Sequence, residues 1–265
     1  MALAVCATPI GNLGDVTLRV LDELRAADVV LCEDTRHTRG LLARYEIEAT
    51  LLSYHEHNEA KRVEELLPRL RAGERVALVS DAGLPGISDP GARLIAAALE
   101  AGVGVTVLPG ASAVETALVA SGLVGERYQF VGFLPRGERA LAGLWEELAA
   151  WAWPVVAFES PQRLPRTLAS LALALPERAC AVCRELTKLH EEVVRGTAAE
   201  LAARFAEAPR GEIVLVLGAA AAAAPQLPVA EVGELVAAGV PRRQAADLVA
   251  RLTGASRNAL YRASL

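Results

Sequence analysis

Predicted strands and helices alternate along the first half of the chain, and this alternation limits the possible folds more than any other feature. Short apolar runs typical of buried strands are separated by segments with helical spacing. The strands are expected at 3–7, 28–32, 50–53, 75–79 and 104–108. Repeated strand–helix units predict a mostly parallel sheet covered by helices on both faces.

The pattern changes near residues 122–127, after which a second set of strands alternates with helices. These strands are expected at 129–133, 155–158, 180–185, 191–195 and 212–217. The predicted class is therefore α/β, with two α/β domains and a small helical module at the C-terminal end. The predicted boundaries are 1–121 and 122–218 for the domains, 219–228 for a low-complexity linker, and 229–265 for a helix-turn-helix-like tail.

Composition narrows the class of protein. The 265 residues suffice for two domains with cores, and the net charge of −5 argues against a generally basic nucleic-acid binder. No apolar run approaches the roughly 20 residues of a membrane helix, and Arg19 and Asp22 argue against a signal peptide. We therefore expect a cytoplasmic protein without membrane contact.

Cys180 and Cys183 lack the second pair of a zinc site, and strand alternation puts them on opposite faces, so no metal is expected.

Three loops rich in glycine and proline follow predicted strands of the first half, at 8–15, 80–91 and 109–113. Glycine permits positive φ and proline fixes φ, so such loops have a defined shape. Ligands of open α/β sheets bind at the carboxyl ends of strands. We therefore expect the three loops to converge on one small-molecule crevice. Because neither a Walker loop nor the dinucleotide fingerprint is present, a phosphate cradle of those kinds is not indicated.

The three loops, with Glu33-Asp34-Thr35-Arg36 and supporting segments at 54–59, 158–163, 184–188 and 210–212, resemble the tetrapyrrole methylase superfamily. The resemblance extends over about residues 3–218 in consistent order. Within the superfamily it is to members that methylate the ribose 2′-oxygen of a cytidine in 16S ribosomal RNA. It implies that S-adenosylmethionine binds in a cleft between the two domains, and that the protein forms a homodimer.

The resemblance also implies which residues contact the cofactor: Pro9, Gly83, Leu84, Ile87, Ser88, Ser112 and Ala113. Many superfamily members have Asp at the position of Leu84. That departure leaves contact there to backbone and apolar atoms. We expect the loop at 80–91 to bind the donor, and we assign no catalytic base within it.

A ribose 2′-hydroxyl is a poor nucleophile near neutral pH, so a general base would help by about 10²–10⁴-fold. The candidates for catalysis are Glu33, Asp34, Arg36, His55, Glu185 and Lys188. Each has a simpler alternative. The segment at 33–36 suits a helix cap with an ion pair, His55 suits a solvated loop, and Glu185 and Lys188 suit a surface pair. Lys188 could act as a base only with a lowered pKa.

The tail carries a separate indication, because its last 26 residues, 240–265, hold five arginines against one aspartate. Helix-turn-helix order with basic side chains is typical of nucleic-acid-binding modules. The candidate RNA contacts are Arg242, Arg243, Arg257 and Arg262. The alternative is a helical hairpin that packs against the body or against a dimer partner.

The predicted partner is the RNA of the small ribosomal (30S) subunit, and two other functions stay open. One is methylation of a tetrapyrrole such as a precorrin, as other superfamily members do. The other is a cofactor-binding, RNA-associated protein without catalysis. The basic tail and the Glu-Asp-Thr-Arg segment favour RNA over a tetrapyrrole.

Overall fold

A computed structural model describes residues 2–220 and 228–265. They form two compact units, one up to Ala219 and one from Ala220 onward. Most of the linker predicted at 219–228 lies outside the described residues.

The first sheet is wholly parallel, with strand order β3-β2-β4-β1-β5. Its strands are β1 (Leu3–Cys6), β2 (Val29–Cys32), β3 (Leu51–Ser53), β4 (Val76–Val79) and β5 (Val105–Leu108). Every residue of β1, β2 and β4 is buried, as expected of central strands with helices on both faces. The predicted mostly parallel sheet is confirmed.

Helices cover the first sheet on both faces, so two apolar cores form, one on each side. The helices of this half are α1 (Leu18–Ala26), α2 (Thr35–Arg44), α3 (Glu59–Arg71), α4 (Ala92–Glu100) and α5 (Ala113–Ser121). Helix α2 begins at Thr35. Asp34 accepts a hydrogen bond from the Arg36 backbone N–H, and this cap starts the helix at Thr35.

The second sheet is mixed, with strand order β6-β7-β10-β8-β9, and only β6 and β7 run parallel. Its strands are β6 (Gln129–Phe133), β7 (Val155–Glu159), β8 (Ala179–Arg184), β9 (Glu192–Thr197) and β10 (Ile213–Leu217). Helices α6 (Glu138–Leu148), α7 (Leu164–Ala174) and α8 (Ala198–Arg204) cover one face.

Helix α5 covers the other face of the second sheet, although its sequence position puts it within the first predicted domain. Val114, Ala117 and Leu118 of α5 pack with Val156 and Val216 of the second sheet. Helix α5 therefore follows the last strand of the first sheet but packs against the second sheet. As expected from strand alternation, Cys180 lies in the core under α6–α8 and Cys183 lies under α5.

The C-terminal unit contains helices α9 (Val229–Ala237), α10 (Arg242–Thr253) and α11 (Arg257–Ala263). Val232, Ala245, Ala246, Val249 and Leu260 form a small core of its own. Gly254 ends α10 with a φ of 74°, the left-handed conformation that glycine adopts without strain. In the part of the chain that the structure describes, no helix combines the length and apolar character needed to span a bilayer.

Candidate functional site

The three glycine- and proline-rich loops meet beyond the carboxyl ends of β4, β1 and β5, which are neighbours in the sheet. Thr8 and Gly83 exchange backbone hydrogen bonds of 2.8 and 3.1 Å, and the Thr8 hydroxyl donates to the Ser80 carbonyl at 3.0 Å. In the third loop, a Cβ on Gly110 would lie 2.8 Å from the Ala7 Cβ, so only glycine permits this approach. The convergence expected from the sequence is present.

Between these loops and the second sheet lies a cavity of about 390 Å³, within the range of small-molecule sites. The first half contributes Ile10, Ala82, Gly83, Leu84, Ile87, Ser88, Asp89, Ser112, Ala113 and Val114 to its walls. The second half contributes Phe133, Phe158, Glu159, Ser160, Pro161, Cys183, Leu186, Gly211, Glu212, Ile213 and Val214.

Six of the seven residues expected to contact the cofactor line this cavity: Gly83, Leu84, Ile87, Ser88, Ser112 and Ala113. Pro9 is buried beside Ile10, and Ile10 is the residue that reaches the cavity wall. Leu84 both lines the cavity and packs against the first-sheet core. The position where many family members carry Asp is thus part of an apolar wall.

The loop at 80–91 has an unusual backbone, since Ser88 adopts a φ of 63°. A non-glycine residue in this region costs roughly 1–2 kcal/mol, so the surrounding contacts must hold it. A Cβ on Gly132 of β6 would lie 3.9 Å from the Ser88 hydroxyl oxygen. The loop therefore approaches the second sheet closely at Ser88.

Glu159, at the end of β7, is a fully buried carboxylate in the cavity wall. It accepts hydrogen bonds from the Ser160 backbone N–H at 2.6 Å and the Thr167 hydroxyl at 2.5 Å, and it pairs with Arg163. This network ties the end of β7 to the first turns of α7. We predicted no role for Glu159 from the sequence, although an acid at a strand end with Arg four residues later is a recognisable pattern.

Glu185 and Lys188 lie in the loop between β8 and β9, and they form an ion pair. The Lys188 Nζ is 3.0 Å from Glu185 Oε1 and 3.0 Å from Glu212 Oε2. Burial lowers the pKa of Lys188, but hydrogen bonds to these two carboxylates outweigh it and raise the pKa above its usual value. The Glu212 backbone N–H holds the pKa of Glu185 below its usual value, and Lys188 adds to this. This geometry matches the ion-pair alternative rather than a base.

The same loop joins the two halves of the cavity. The Asn12 backbone N–H donates to the Thr187 hydroxyl at 3.0 Å, and a Cβ on Gly11 would lie 2.5 Å from Lys188 Cγ. Glu185 and Thr187 both have positive φ, 50° and 66°. We call this contact between residues 11–12 and 185–188 the clasp, and it fixes the spacing of the two cavity walls.

Asp34 and Arg36 lie outside the cavity walls, on the surface at the start of α2. The Arg36 guanidinium donates to Asp34 at 2.9 Å, and this bond holds the pKa of Asp34 down at about 2. Both residues therefore match the helix-cap and ion-pair alternative.

Glu33 and His55 also lie outside the cavity walls, close to each other. The Nε2 atom of His55 is 3.1 Å from Asn58 Nδ2, while its buried Nδ1 has no hydrogen-bond partner within residues 2–220 and 228–265. Burial raises the pKa of Glu33, and the charge of Asp81 raises it further. Glu33 is near Asp81, whereas Glu185 is paired with Lys188. The catalytic candidates therefore lie in two separate places.

Asp89 lines the cavity wall, and it is close enough to Glu33 for the two charges to interact. Burial raises the pKa of Asp89 to about 6, and the charges of Glu33 and Asp81 add to this, while a hydrogen bond from Ser80 opposes it. From the sequence we assigned no catalytic base to this loop, and Asp89 is the carboxylate of the loop that lines the cavity. Its only sequence signal was an acid at the end of a shaped loop, just before a helix.

A model of the tetrapyrrole (corrin/porphyrin) methylases matches residues 2–202. The chain belongs to the tetrapyrrole methylase family. A second model, of the RsmI C-terminal HTH domain, matches residues 221–265. The family's two-sheet architecture and a C-terminal helical module are thus both present in one chain.

Relatives named ribosomal RNA small subunit methyltransferase I match nearly the whole chain. The protein of Synechocystis sp. is 44% identical over 99% of this chain and 97% of its own length. That of Mesorhizobium japonicum is 45% identical over 98% of this chain and 90% of its own length. Within the tetrapyrrole methylases, the chain therefore belongs with the proteins of this name.

Solved structures of low sequence identity share the fold. A conserved hypothetical protein of Aeropyrum pernix gives a TM-score of 0.64 at 23% identity, over 91% of this chain and 90% of that one. A uroporphyrin-III C-methyltransferase of Thermus thermophilus, complexed with S-adenosylhomocysteine, gives 0.57 at 20% identity, over 82% and 96%. Within the described ranges, no cluster of three or more His, Cys, Asp or Glu could hold a metal ion.

Proposed function

We propose that this protein transfers a methyl group from S-adenosylmethionine to the ribose 2′-oxygen of a cytidine in 16S ribosomal RNA of the small subunit. The observation that carries the proposal is the match over nearly the full length, tail included, to relatives named ribosomal RNA small subunit methyltransferase I. The cavity at the three loops supports it, because this is where open α/β sheets bind ligands.

The cavity suits a positively charged donor. Its walls include the carboxylates Asp89, Glu159 and Glu212, and among the described residues no Lys or Arg lines it. When bound, S-adenosylmethionine supplies a methyl group on a positively charged sulfur. Leu84 and Ile87 offer apolar contact from the loop at 80–91, and Ser112 and Ala113 line the cavity from the loop after β5. By fixing the spacing of the walls, the clasp would orient donor and acceptor, an effect that can lower a barrier by roughly 7–11 kcal/mol.

An exposed aromatic ring at the cavity favours a nucleotide as the acceptor. Phe133 is 62% exposed and lies edge-on to Phe158, with ring centroids 5.4 Å apart. Proteins that recognise unpaired RNA bases stack them on such rings. Phe133 would therefore hold the base whose ribose is methylated.

The tail supplies the proposed contact with the RNA backbone. Arg243, Arg257 and Arg262 are exposed and Arg242 is partly buried. Their guanidinium groups suit phosphate oxygens, and such contacts make binding salt-dependent. A protein that acts on ribosomal subunits works in the cytoplasm, which is the proposed location.

The proposal includes a homodimer. Val119, Val124 and Tyr128, at the end of α5 and in the connection after it, are 68%, 58% and 40% exposed. A second copy would cover these apolar side chains. Sedimentation at micromolar concentration tests this part: a dimer supports it, and a monomer contradicts it.

Two alternatives are less well supported. Methylation of a precorrin would use the same fold, but the basic tail would then have no evident role. A non-catalytic RNA-associated protein would need no proton acceptor in the cavity, and Asp89 is present there. Incubation with labelled S-adenosylmethionine distinguishes the three: label in 30S subunits supports the proposal, label in precorrin alone overturns it, and binding without transfer indicates the non-catalytic function.

The cavity as the donor site is tested separately with Ser112→Phe. The added ring would fill space at the cavity wall, so we expect S-adenosylmethionine binding, measured by calorimetry, to weaken at least 100-fold with little change in the unfolding temperature. Ala199→Phe, an exposed change on α8, is the matched control and should bind normally. Equal affinity of the two variants would contradict the site.

A further inference from the structure

Three carboxylates line the cavity, and two of them are already engaged. The oxygens of Glu159 accept bonds from Ser160 and Thr167 and pair with Arg163. Glu212 pairs with the Lys188 ammonium group at 3.0 Å, and its side chain is 70% exposed. Neither is placed to take up a proton within an enclosed site.

The third carboxylate, Asp89, differs in its charged neighbours. No Lys or Arg nitrogen of the described residues forms an ion pair with it, whereas Glu33 and Asp81 act on it as like charges. Glu33 follows β2 and Asp81 follows β4, so the negative charges that act on Asp89 come from the ends of two different strands. The Ser80 hydroxyl, at the end of β4, donates to the Gly83 carbonyl at 3.1 Å. A partly buried carboxylate repelled by its neighbours gains a proton more readily than an exposed one.

We propose that Asp89 is the catalytic residue that accepts the proton of the ribose 2′-hydroxyl during methyl transfer. This inference rests on the proposed function. The hydroxyl oxygen forms a bond to the methyl carbon and gives its proton to the Asp89 carboxylate. The sulfur–carbon bond of the donor breaks, its electron pair stays on sulfur, and S-adenosylhomocysteine is the product.

The charged surroundings of Asp89 allow a specific test by pH. Glu33 and Asp81 are the charges that act on it, and Asp81, His55 and Glu56 act on Glu33 in turn. An ionised Asp89 is required to accept the proton, so the rate should rise with pH through about 6 and then level off. Removing the Glu33 charge lowers the pKa of Asp89, so Glu33→Gln should shift this rise to lower pH.

The experiment measures single-turnover methyl transfer to 30S subunits at subsaturating S-adenosylmethionine between pH 5 and 8, because the rate per unit donor concentration reports the pKa of Asp89 in the protein without donor. We expect Asp89→Asn to lose about 10²–10⁴-fold in rate and to lack the rise near pH 6. Because Asp89 also adds negative charge to the donor site, the affinity of Asp89→Asn for S-adenosylmethionine is measured separately by calorimetry, and the loss in rate should exceed the loss in affinity. Glu33→Gln should keep the rise at a shifted midpoint.

A second readout does not depend on activity. Because the folded state favours the protonated form of Asp89, ionisation destabilises the fold as pH rises through about 6. Asp89→Asn should therefore unfold roughly 2–4 °C higher than the wild type at pH 8 and at nearly the same temperature at pH 4.

The outcomes separate the two hypotheses. A wild type that methylates no subunit overturns the proposed function. An active wild type with an equally active Asp89→Asn, or with Glu33→Gln inactive and Asp89→Asn active, overturns the role of Asp89 alone. An unfolding temperature of Asp89→Asn that matches the wild type at both pH values also contradicts it.

Discussion

Single residues set the spacing of the cavity walls. Gly11 is the clearest case, since Lys188 Cγ, the Thr187 hydroxyl and the Leu186 carbonyl all lie within 3.0 Å of where its Cβ would be. The sequence identified Gly11 as part of a shaped loop. It could not show what approaches this glycine, because the approaching loop lies about 175 residues away along the chain.

Replacing Gly11 by alanine should open the clasp. The new methyl group would meet backbone as well as side-chain atoms, so we expect a loss of about 1–3 kcal/mol in the free energy of unfolding and weaker S-adenosylmethionine binding. Urea unfolding and calorimetry measure the two effects. Gly40→Ala is the control: nothing lies within 4 Å of its Cβ position in α2, so it should stabilise by roughly 0.5–1 kcal/mol. A Gly11→Ala protein as stable as this control would contradict the clasp.

Whole elements were predictable where the sequence has a clear period or strong turn residues. The ten strands of the described ranges, the parallel first sheet and the tail helices follow from apolar runs separated by glycine and proline. The position of α5 did not, because its apolar residues are not concentrated on one side. Such a helix can pack against either sheet, and only the folded structure shows that it covers the second.

Glu159 links the two elements β7 and α7, and its removal should destabilise the chain strongly. Glu159→Ala would leave the Arg163 guanidinium without its carboxylate, so we expect a loss of about 3–5 kcal/mol. Glu212→Ala, which breaks an exposed pair with Lys188, should lose less than about 1 kcal/mol. Chemical unfolding of both variants provides the comparison, and losses of equal size would contradict a structural role for Glu159.

At the scale of the whole molecule, the carboxyl edge of the parallel sheet gathers chemistry from distant parts of the sequence. Glu33, Asp81 and Asp89 come from two strand ends, and their mutual repulsion exists only once β2 and β4 are neighbours. The sequence therefore predicted that the three loops converge on one cavity, but it did not predict the acidic group beside them. The tail adds a second, separately folded unit with exposed arginines.

Neutralising three tail arginines should weaken RNA binding without affecting the donor site. For Arg243, Arg257 and Arg262 all replaced by Gln, we expect lower affinity for 30S subunits. The slope of log affinity against log salt concentration should become shallower by up to about 0.7–0.9 for each lost phosphate contact. S-adenosylmethionine affinity should not change. The control replaces the exposed Arg19, Arg71 and Arg139 of the first unit. If both triple variants bind equally, the tail is not the preferred RNA contact.

The most direct test of the account is nucleoside analysis of unmethylated 30S subunits after incubation with the purified protein and S-adenosylmethionine. We predict about one 2′-O-methylcytidine per subunit, formed by the wild type and almost absent with Ser112→Phe. Methyl groups on a base, or transfer that Ser112→Phe leaves unchanged, would contradict it.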